Sequence, residues 1–175
     1  MDVGRQVVDV RFGAEAAGST EESIAAFSAD RLAELGFPDT WYHFCPAPVL
    51  AGERSCLSIS GREYVPSTDP IGSETLVSVD LSPRAGRFWG DCARSFAVES
   101  DSVTGEPSRS DFRRGVDAQV RLHTEMKAFV RPDTTFRDLH EFSNDLIASL
   151  GYVNLDFLGN LGHSIATELE NRIYL

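Results

Sequence analysis

The chain has 175 residues, of which 42% are hydrophobic and 25% charged, as expected of a folded domain with a sizeable core. Its net charge of −11 argues against nucleic acid as a partner, because nucleic-acid-binding proteins carry a basic surface. No apolar run approaches the roughly 18 residues that span a membrane. The start, MDVGRQVVDVRF, lacks the apolar core of a signal peptide, and the three cysteines have no CxxC spacing. We therefore expect reduced thiols, a cytoplasmic location and no membrane partner.

Residues 1–18 form an ambiguous lead-in segment, and we expect one domain over residues 19–175. The stretch STEESIAAFSADRLAELG predicts the first helix of that domain. Ser19 and Glu22 have the spacing of a capping box, apolar residues recur at helical intervals, and Gly36 ends the pattern. Residues 46–60 are then predicted to be extended, and the segment up to residue 74, rich in Gly and Pro, to be loop.

The stretch VSVDLSPRAGRFWGDCARSFAV, residues 77–98, predicts a β-hairpin with its turn at residues 83–86. That turn would place Asp80 opposite Trp89 and Asp91 opposite Ser78, with both carboxylates on one face as diagonal neighbours. Diagonal backbones are about 7–8 Å apart, so the two side chains could share one or two divalent cations. The alternative is a hairpin whose polar face is simply wet, and the spacing alone does not exclude it.

Two longer helices follow the hairpin. DFRRGVDAQVRLHTEMKAFV predicts a helix capped by Ser108 or Ser110 and ended by Pro132. FRDLHEFSNDLIASL predicts the next helix, which Thr134 or Thr135 would begin. The tail has the pattern of loop and strand. This order of helix, strands, helices and strands is typical of an α+β domain rather than of alternating β-α-β units.

Several stretches together resemble the pita-bread metallopeptidases, the family of methionine aminopeptidase, prolidase, Xaa-Pro aminopeptidase and creatinase. VDLS and DCARSF resemble its paired-strand motif, and LGHSIA resembles the segment that presents a metal-binding histidine. The first helix and the pair VRPDTTFRDLHEFSNDLIASLGY agree in order and spacing. The resemblance covers about residues 19–170. It implies a pita-bread α+β fold, with a curved, mainly antiparallel sheet and flanking helices.

The resemblance also implies a metal centre made by Asp80, Asp91 and His163. In the family two divalent ions (manganese, cobalt, iron or zinc) hold a hydroxide that attacks a peptide or amide carbonyl. The expected partner is thus a small peptide or amide substrate. Many members dimerise, so a homodimer is a further expectation.

The chain departs from the family at three places. Two glutamate ligands would follow the histidine, and the sequence reaches Leu175 before them, so we expect a domain lacking its last strands. Glu63 in EYVPS and Glu170 in ENRIYL stand where the family has histidines that contact substrate. A carboxylate cannot donate a hydrogen bond to an oxyanion unless it is protonated. We expect the two glutamates to bind a cationic group of the substrate, and solvated surface glutamates are the alternative.

Three functions remain open from the sequence. The leading hypothesis is a metal-dependent hydrolase that resembles an aminopeptidase or Xaa-Pro dipeptidase. The second is a catalytically inactive pita-bread module that binds a peptide or protein segment. The third is a creatinase-like, metal-free hydrolase of a small guanidino or amine compound.

Overall fold

The computed structural model describes residues 18–175, so nearly all of the lead-in segment lies outside the described residues. The first helix, α1 (Glu21–Glu34), is capped by Thr20, whose side chain accepts from the backbone of Ser23 while the Ser23 hydroxyl caps Thr20 in return. The predicted cap at Ser19 was one residue early. The backbone at residues 19–20 is instead extended, because the Ser19 carbonyl accepts the Ile71 amide at 2.8 Å.

The strands form two antiparallel sheets. A four-stranded sheet has the order β2-β3-β6-β7, and a small three-stranded sheet has the order β1-β4-β5. In chain order the strands are β1 (Asp39–Thr40), β2 (Val49–Ala51), β3 (Thr75–Leu81), β4 (Pro83–Ala85), β5 (Phe88–Trp89), β6 (Cys92–Glu99) and β7 (Ser102–Thr104). The predicted extended segment 46–60 therefore contains only a short strand, followed by a 3₁₀ turn at Gly52–Cys56.

The predicted hairpin register was wrong by four residues. Asp80 lies opposite Ala93 rather than Trp89, and Ser78 lies opposite Ser95 rather than Asp91. The reason is that β4 pairs with β1 on one side and with β5 on the other, so the chain returns to β3 only at Cys92. Asp91 lies just before the first residue of β6, outside the ladder, and is still close enough to Asp80 to act on its charge.

The core lies between α1 and the inner face of the larger sheet. Burial alternates along β3, where Thr75, Val77, Val79 and Leu81 are all buried. Ile24 and Leu32 on α1 complete this core, which also includes Val49 and Val98. Each such side chain contributes roughly 1.5–3 kcal/mol when removed from water. Asp80 points to the opposite face of β3, which leaves it free to serve a site outside this core.

The two remaining helices are α2 (Ser110–Phe129) and α3 (Phe136–Ser149), and they pack through the stacked rings of Phe129 and Phe142, with centroids 4.1 Å apart. Thr135 caps α3 as predicted, in a capping box with Asp138. The predicted cap of α2 was wrong. Arg109 occupies the cap position without a side-chain bond, because the Ser108 hydroxyl donates to Glu99.

The tail carries a short antiparallel pairing rather than a full strand. The Leu161 amide donates to the Leu175 carbonyl at 2.7 Å, and the Leu175 amide donates to the Gly162 carbonyl at 2.9 Å. His163 lies inside this pairing, opposite Tyr174. A 3₁₀ turn at Leu169–Asn171 connects the two halves. In the described part of the chain, no helix combines the length and apolarity needed to cross a membrane.

Candidate metal centre

The two aspartates reach the site from adjacent segments. Asp80 is the penultimate residue of β3, and Asp91 lies in the link between β5 and β6, directly before the first residue of β6. The β4–β5 hairpin delays the return of the chain and so places Asp91 near the end of β3. The sequence prediction put both aspartates within strands, whereas Asp91 lies in an irregular link.

His163 completes the group from a segment 72 residues further along the chain than Asp91. Its Nε2 lies 3.2 Å from Asp91 Oδ2, and its side chain is 11% exposed. Its Nδ1 lies 3.1 Å from the carbonyl oxygen of Ser164. When Nδ1–H donates to that carbonyl, the neutral ring presents its Nε2 lone pair to the Asp91 carboxylate. A cation or a proton between the two groups is needed to make this contact attractive.

The three side chains line one cavity of about 730 Å³. Its acidic residues are Asp80, Asp91 and Asp156, and much of its wall is aromatic or aliphatic. The wall includes Trp41, Tyr42, Phe157, Leu158, Ile165 and Tyr174. Such a cavity, mostly apolar with a few polar groups that converge, has the usual form of a small-molecule site.

The electrostatics of the cavity disfavour two ionised aspartates. Burial raises the pKa of Asp80 to about 6, and the nearby Asp91 adds to this increase, while His163 and the Leu81 backbone act against it. Burial also raises the pKa of Asp91, although the charge and hydrogen bond of His163 lower it. Carboxyl groups with raised pKa values in a cleft are frequent at functional sites.

The Asp80 carboxylate provides the test of whether these residues fit a cation. Its Oδ1 atom is shielded from solvent and has no hydrogen-bond partner among residues 18–175. A buried oxygen without a donor is costly, and a bound cation would remove that cost. Oxygen ligands with one imidazole suit a transition-metal ion. No set of three His, Cys, Asp or Glu side chains within residues 18–175 already has metal-binding geometry, so the three groups would have to close around the ion.

The two predicted substrate-binding glutamates are not part of this cluster. Glu63 lies in a turn and is exposed, and Glu170 is exposed on the 3₁₀ turn of the tail. Neither lines the cavity.

The sequence analysis missed Asp156 and Tyr174, which do line it. The only signal for Asp156 was its place in the turn-forming stretch DFLGN, where its Oδ1 accepts the amides of Leu158 and Asn160.

The chain is thus an α+β domain in which three carboxylates and one imidazole line a cavity beside an antiparallel sheet. The chain belongs to metallopeptidase family M24, whose family model matches residues 2–174. No curated protein sequence matches the chain.

Solved structures of similar fold include prolidase from Pyrococcus horikoshii OT3, with a TM-score of 0.68 and 20% identity over 86% of this chain and 40% of that chain. X-Pro aminopeptidase from Thermotoga maritima MSB8 has the same TM-score and identity, over 94% of this chain and 41% of that chain. Aminopeptidase P from Escherichia coli has a TM-score of 0.66 and 17% identity, over 85% and 31%. At these identities the likeness shows the fold, and it confirms the predicted pita-bread class. The chain spans about two fifths or less of the length of these neighbours.

Proposed function

We propose that this chain is a metal-dependent hydrolase of small peptides or amides, with its cation held by Asp80, Asp91 and His163. One observation carries the proposal. Side chains from β3, from the β5–β6 link and from the tail line the same cavity, and the buried Oδ1 atom of Asp80 has no hydrogen-bond partner among the described residues. Membership of a metallopeptidase family supports the same reading.

Each of the three residues has a distinct part in holding the cation. Asp80 supplies a desolvated carboxylate whose charge a cation would stabilise. Asp91 is close to both other groups, so it would hold the cation together with them. His163 directs Nε2 into the site because its Nδ1 lies against the Ser164 carbonyl. A bound manganese, cobalt, iron or zinc ion would supply Lewis acidity toward a substrate carbonyl and toward water.

The cavity walls favour a particular kind of substrate. Trp41, Tyr42 and Tyr174 offer apolar surface, and Asp156 is a carboxylate that is not assigned to the cation. An apolar peptide or amide with a positively charged amine satisfies both features. Structural neighbours named as prolidase and X-Pro aminopeptidase make Xaa-Pro peptides the first compounds to assay. Glu63 and Glu170 are proposed to attract the cationic end of a longer substrate from outside the cavity.

Metal binding is tested by titrating the chain with Co²⁺ and with Mn²⁺ in a calorimeter. We expect Asp80→Asn, Asp91→Asn and His163→Gln each to weaken binding at least about tenfold, because each removes one ligand. Matched controls are Asp145→Asn and His123→Gln, which change the same residue types at exposed helical positions. Equal affinity in the wild type and the three ligand variants would contradict the assignment.

A second candidate is a module that binds peptides without hydrolysing them. It is favoured by the position of Glu63 and Glu170 outside the cavity and by the lack of a preformed three-ligand set within residues 18–175. A Xaa-Pro dipeptide assay with added Mn²⁺ or Co²⁺ separates the two candidates. Metal-dependent product release supports the hydrolase, whereas peptide binding without release supports the module. Turnover that survives chelation would instead indicate creatinase-like chemistry.

A further inference from the structure

An aromatic enclosure surrounds His163. The ring of Trp41 meets the imidazole edge-on, with centroids 5.3 Å apart and planes at 89°. The ring centroids of Trp89 and Tyr174 lie 5.7 and 5.5 Å from that of His163. These contacts restrict the rotation of a side chain that comes from an irregular tail segment.

Trp41 also holds the segment that carries Asp91. Its indole Nε1 donates a hydrogen bond of 2.7 Å to the carbonyl oxygen of Gly90, the residue directly before Asp91. The link between β5 and β6 is not part of either strand, so this bond is a direct restraint on its backbone. One side chain therefore contacts both the ring of His163 and the peptide that precedes Asp91.

Trp89 makes a complementary connection to the tail. Its Nε1 donates to the carbonyl oxygen of Ala166 at 3.0 Å, and its ring lies 5.2 Å from that of Trp41. The guanidinium of Arg172, from the tail, is 5.3 Å from the Trp41 ring centroid. Trp41 is thus fixed by neighbours on both the β5–β6 link and the tail.

We propose that Trp41 is a positioning residue of the metal centre. Its ring sets the plane of His163 and its N–H sets the Gly90 peptide, so that Nε2 of His163 and the carboxylate of Asp91 face the same point. This inference rests on the proposed function, because it concerns the same cation. Residues that orient metal ligands without touching the ion typically change metal affinity by about 10–100-fold when they are removed.

The test substitutes Trp41→Phe, which retains an aromatic ring and loses the N–H. We expect Co²⁺ affinity to fall about tenfold or more, with a change in the visible absorption of bound Co²⁺ that reports altered ligand geometry. The control is Phe88→Leu, which changes a 65% exposed ring on β5 and should keep wild-type affinity. If Trp41→Phe does not fold, Trp41→Tyr is measured in the same way.

Two further measurements separate positioning from simple stability. A purely structural Trp41 would lower the thermal midpoint of the metal-free chain while leaving Co²⁺ affinity unchanged, and that result would overturn the proposal. The second is the ring ¹⁵N spectrum of His163 without metal. We expect Trp41→Phe to shift the Nε2 signal toward its value in Asp91→Asn, because the Nε2–Asp91 contact is lost.

The ring spectrum also distinguishes failure of this inference from failure of the proposed function. If the wild type binds no Co²⁺, the metal assignment fails, and the Nε2 shift still decides whether Trp41 aligns the two side chains. If the wild type binds Co²⁺ and Trp41→Phe keeps both the affinity and the Nε2 signal, the positioning role is wrong and the metal centre stands.

Discussion

Two carboxylates shielded from solvent in this molecule differ in their hydrogen-bond partners. Glu21, at the start of α1, is 1% exposed, and four hydrogen bonds reach its two oxygens. The Arg54 Nε donates to both at 3.0 and 3.1 Å, and the amides of Ala51 and Ser67 donate one bond each at 2.8 and 2.9 Å. Asp80, by contrast, has an Oδ1 atom without a partner in the described structure, and its charged neighbours include another carboxylate, Asp91.

The difference separates a structural acid from a candidate functional one. A buried charge is costly unless it is paired and hydrogen-bonded, and the Glu21 site meets that condition entirely with protein groups. It joins α1, β2, the first 3₁₀ turn and the loop at Ser67. Asp80 could have been satisfied in the same way, yet the fold places it beside another acid at the edge of a cavity. This placement of two acids is favourable only when a cation or a proton is bound between them.

The largest expected effect is the loss of the satisfied acid. Glu21→Ala should lower the free energy of unfolding by about 3 kcal/mol, because it leaves two buried amides and Arg54 without their acceptor. Denaturant titration of the metal-free chain measures this. Glu22→Ala, at the exposed neighbouring position, should change stability by no more than about 0.5 kcal/mol. Similar losses for the two variants would show that the Glu21 network is not structural.

Replacement of the unsatisfied acid, Asp80, should change the free energy of unfolding in the opposite direction. Asp80→Asn should raise the free energy of unfolding of the metal-free chain at pH 8 by about 2 kcal/mol. The raised pKa corresponds to a penalty of about 3 kcal/mol for the ionised form. The expected gain is smaller because the buried asparagine amide would still lack some hydrogen-bond partners. The same denaturant titration tests it, with Asp145→Asn as the matched control. Destabilisation by Asp80→Asn would remove the contrast with Glu21.

The pH dependence of stability tests the same penalty at Asp80 over a range of pH values. The pKa of Asp80 rises from the ordinary 3.8 to about 6 on folding, so the folded state binds its proton more tightly. Its contribution to stability is therefore fully present below about pH 4 and is lost as pH rises through about 6. We expect the stability of the metal-free wild type, relative to Asp80→Asn, to fall over this window and then level off. A flat difference would show that the Asp80 carboxyl is not perturbed.

The smallest effect concerns a neutral group beside the Glu21 network. The Tyr64 hydroxyl donates to the Val49 carbonyl at 3.0 Å and accepts the Val49 amide at 2.9 Å, and burial is the main reason its pKa rises to about 12. Tyr64→Phe should cost about 1 kcal/mol, the usual net value of such bonding. Thermal unfolding measures this, with the exposed Tyr152→Phe as control. A cost no larger than that of the control would exclude a role of the hydroxyl in holding β2.

Local signals in the sequence were reliable where nothing distant competed with them. Thr135 and Asp138 form the cap of α3 because both partners lie within one helical turn. The cap of α1 was misplaced because residues 19–20 pair with the segment at residues 70–71, which no local pattern reveals. The predicted cap of α2 failed for a similar reason, because the Ser108 hydroxyl donates to Glu99, a residue on β6.

The sequence selected three residues that meet in one cavity, but it did not predict how they meet or which other residues line the cavity. Asp80, Asp91 and His163 were selected through a family resemblance, and the structure brings all three to one cavity. Their roles as ligands stay a prediction. The cavity placement of Asp156 and Tyr174 was not foreseen, because it depends on the turn after α3 and on the pairing of the tail.

The sequence by itself determined the helices and the alternation that buries one face of β3, since these follow from side-chain periods of 3.6 and 2. Only the tertiary structure decided the register between β3 and β6. Because β4 pairs with β1, the chain does not pair with β3 again until Cys92. The tertiary structure also decided the approach of His163 to Asp91 from a segment 72 residues away. Contacts of this kind depend on how segments far apart in the sequence pack together, and local propensity carries no information about that packing.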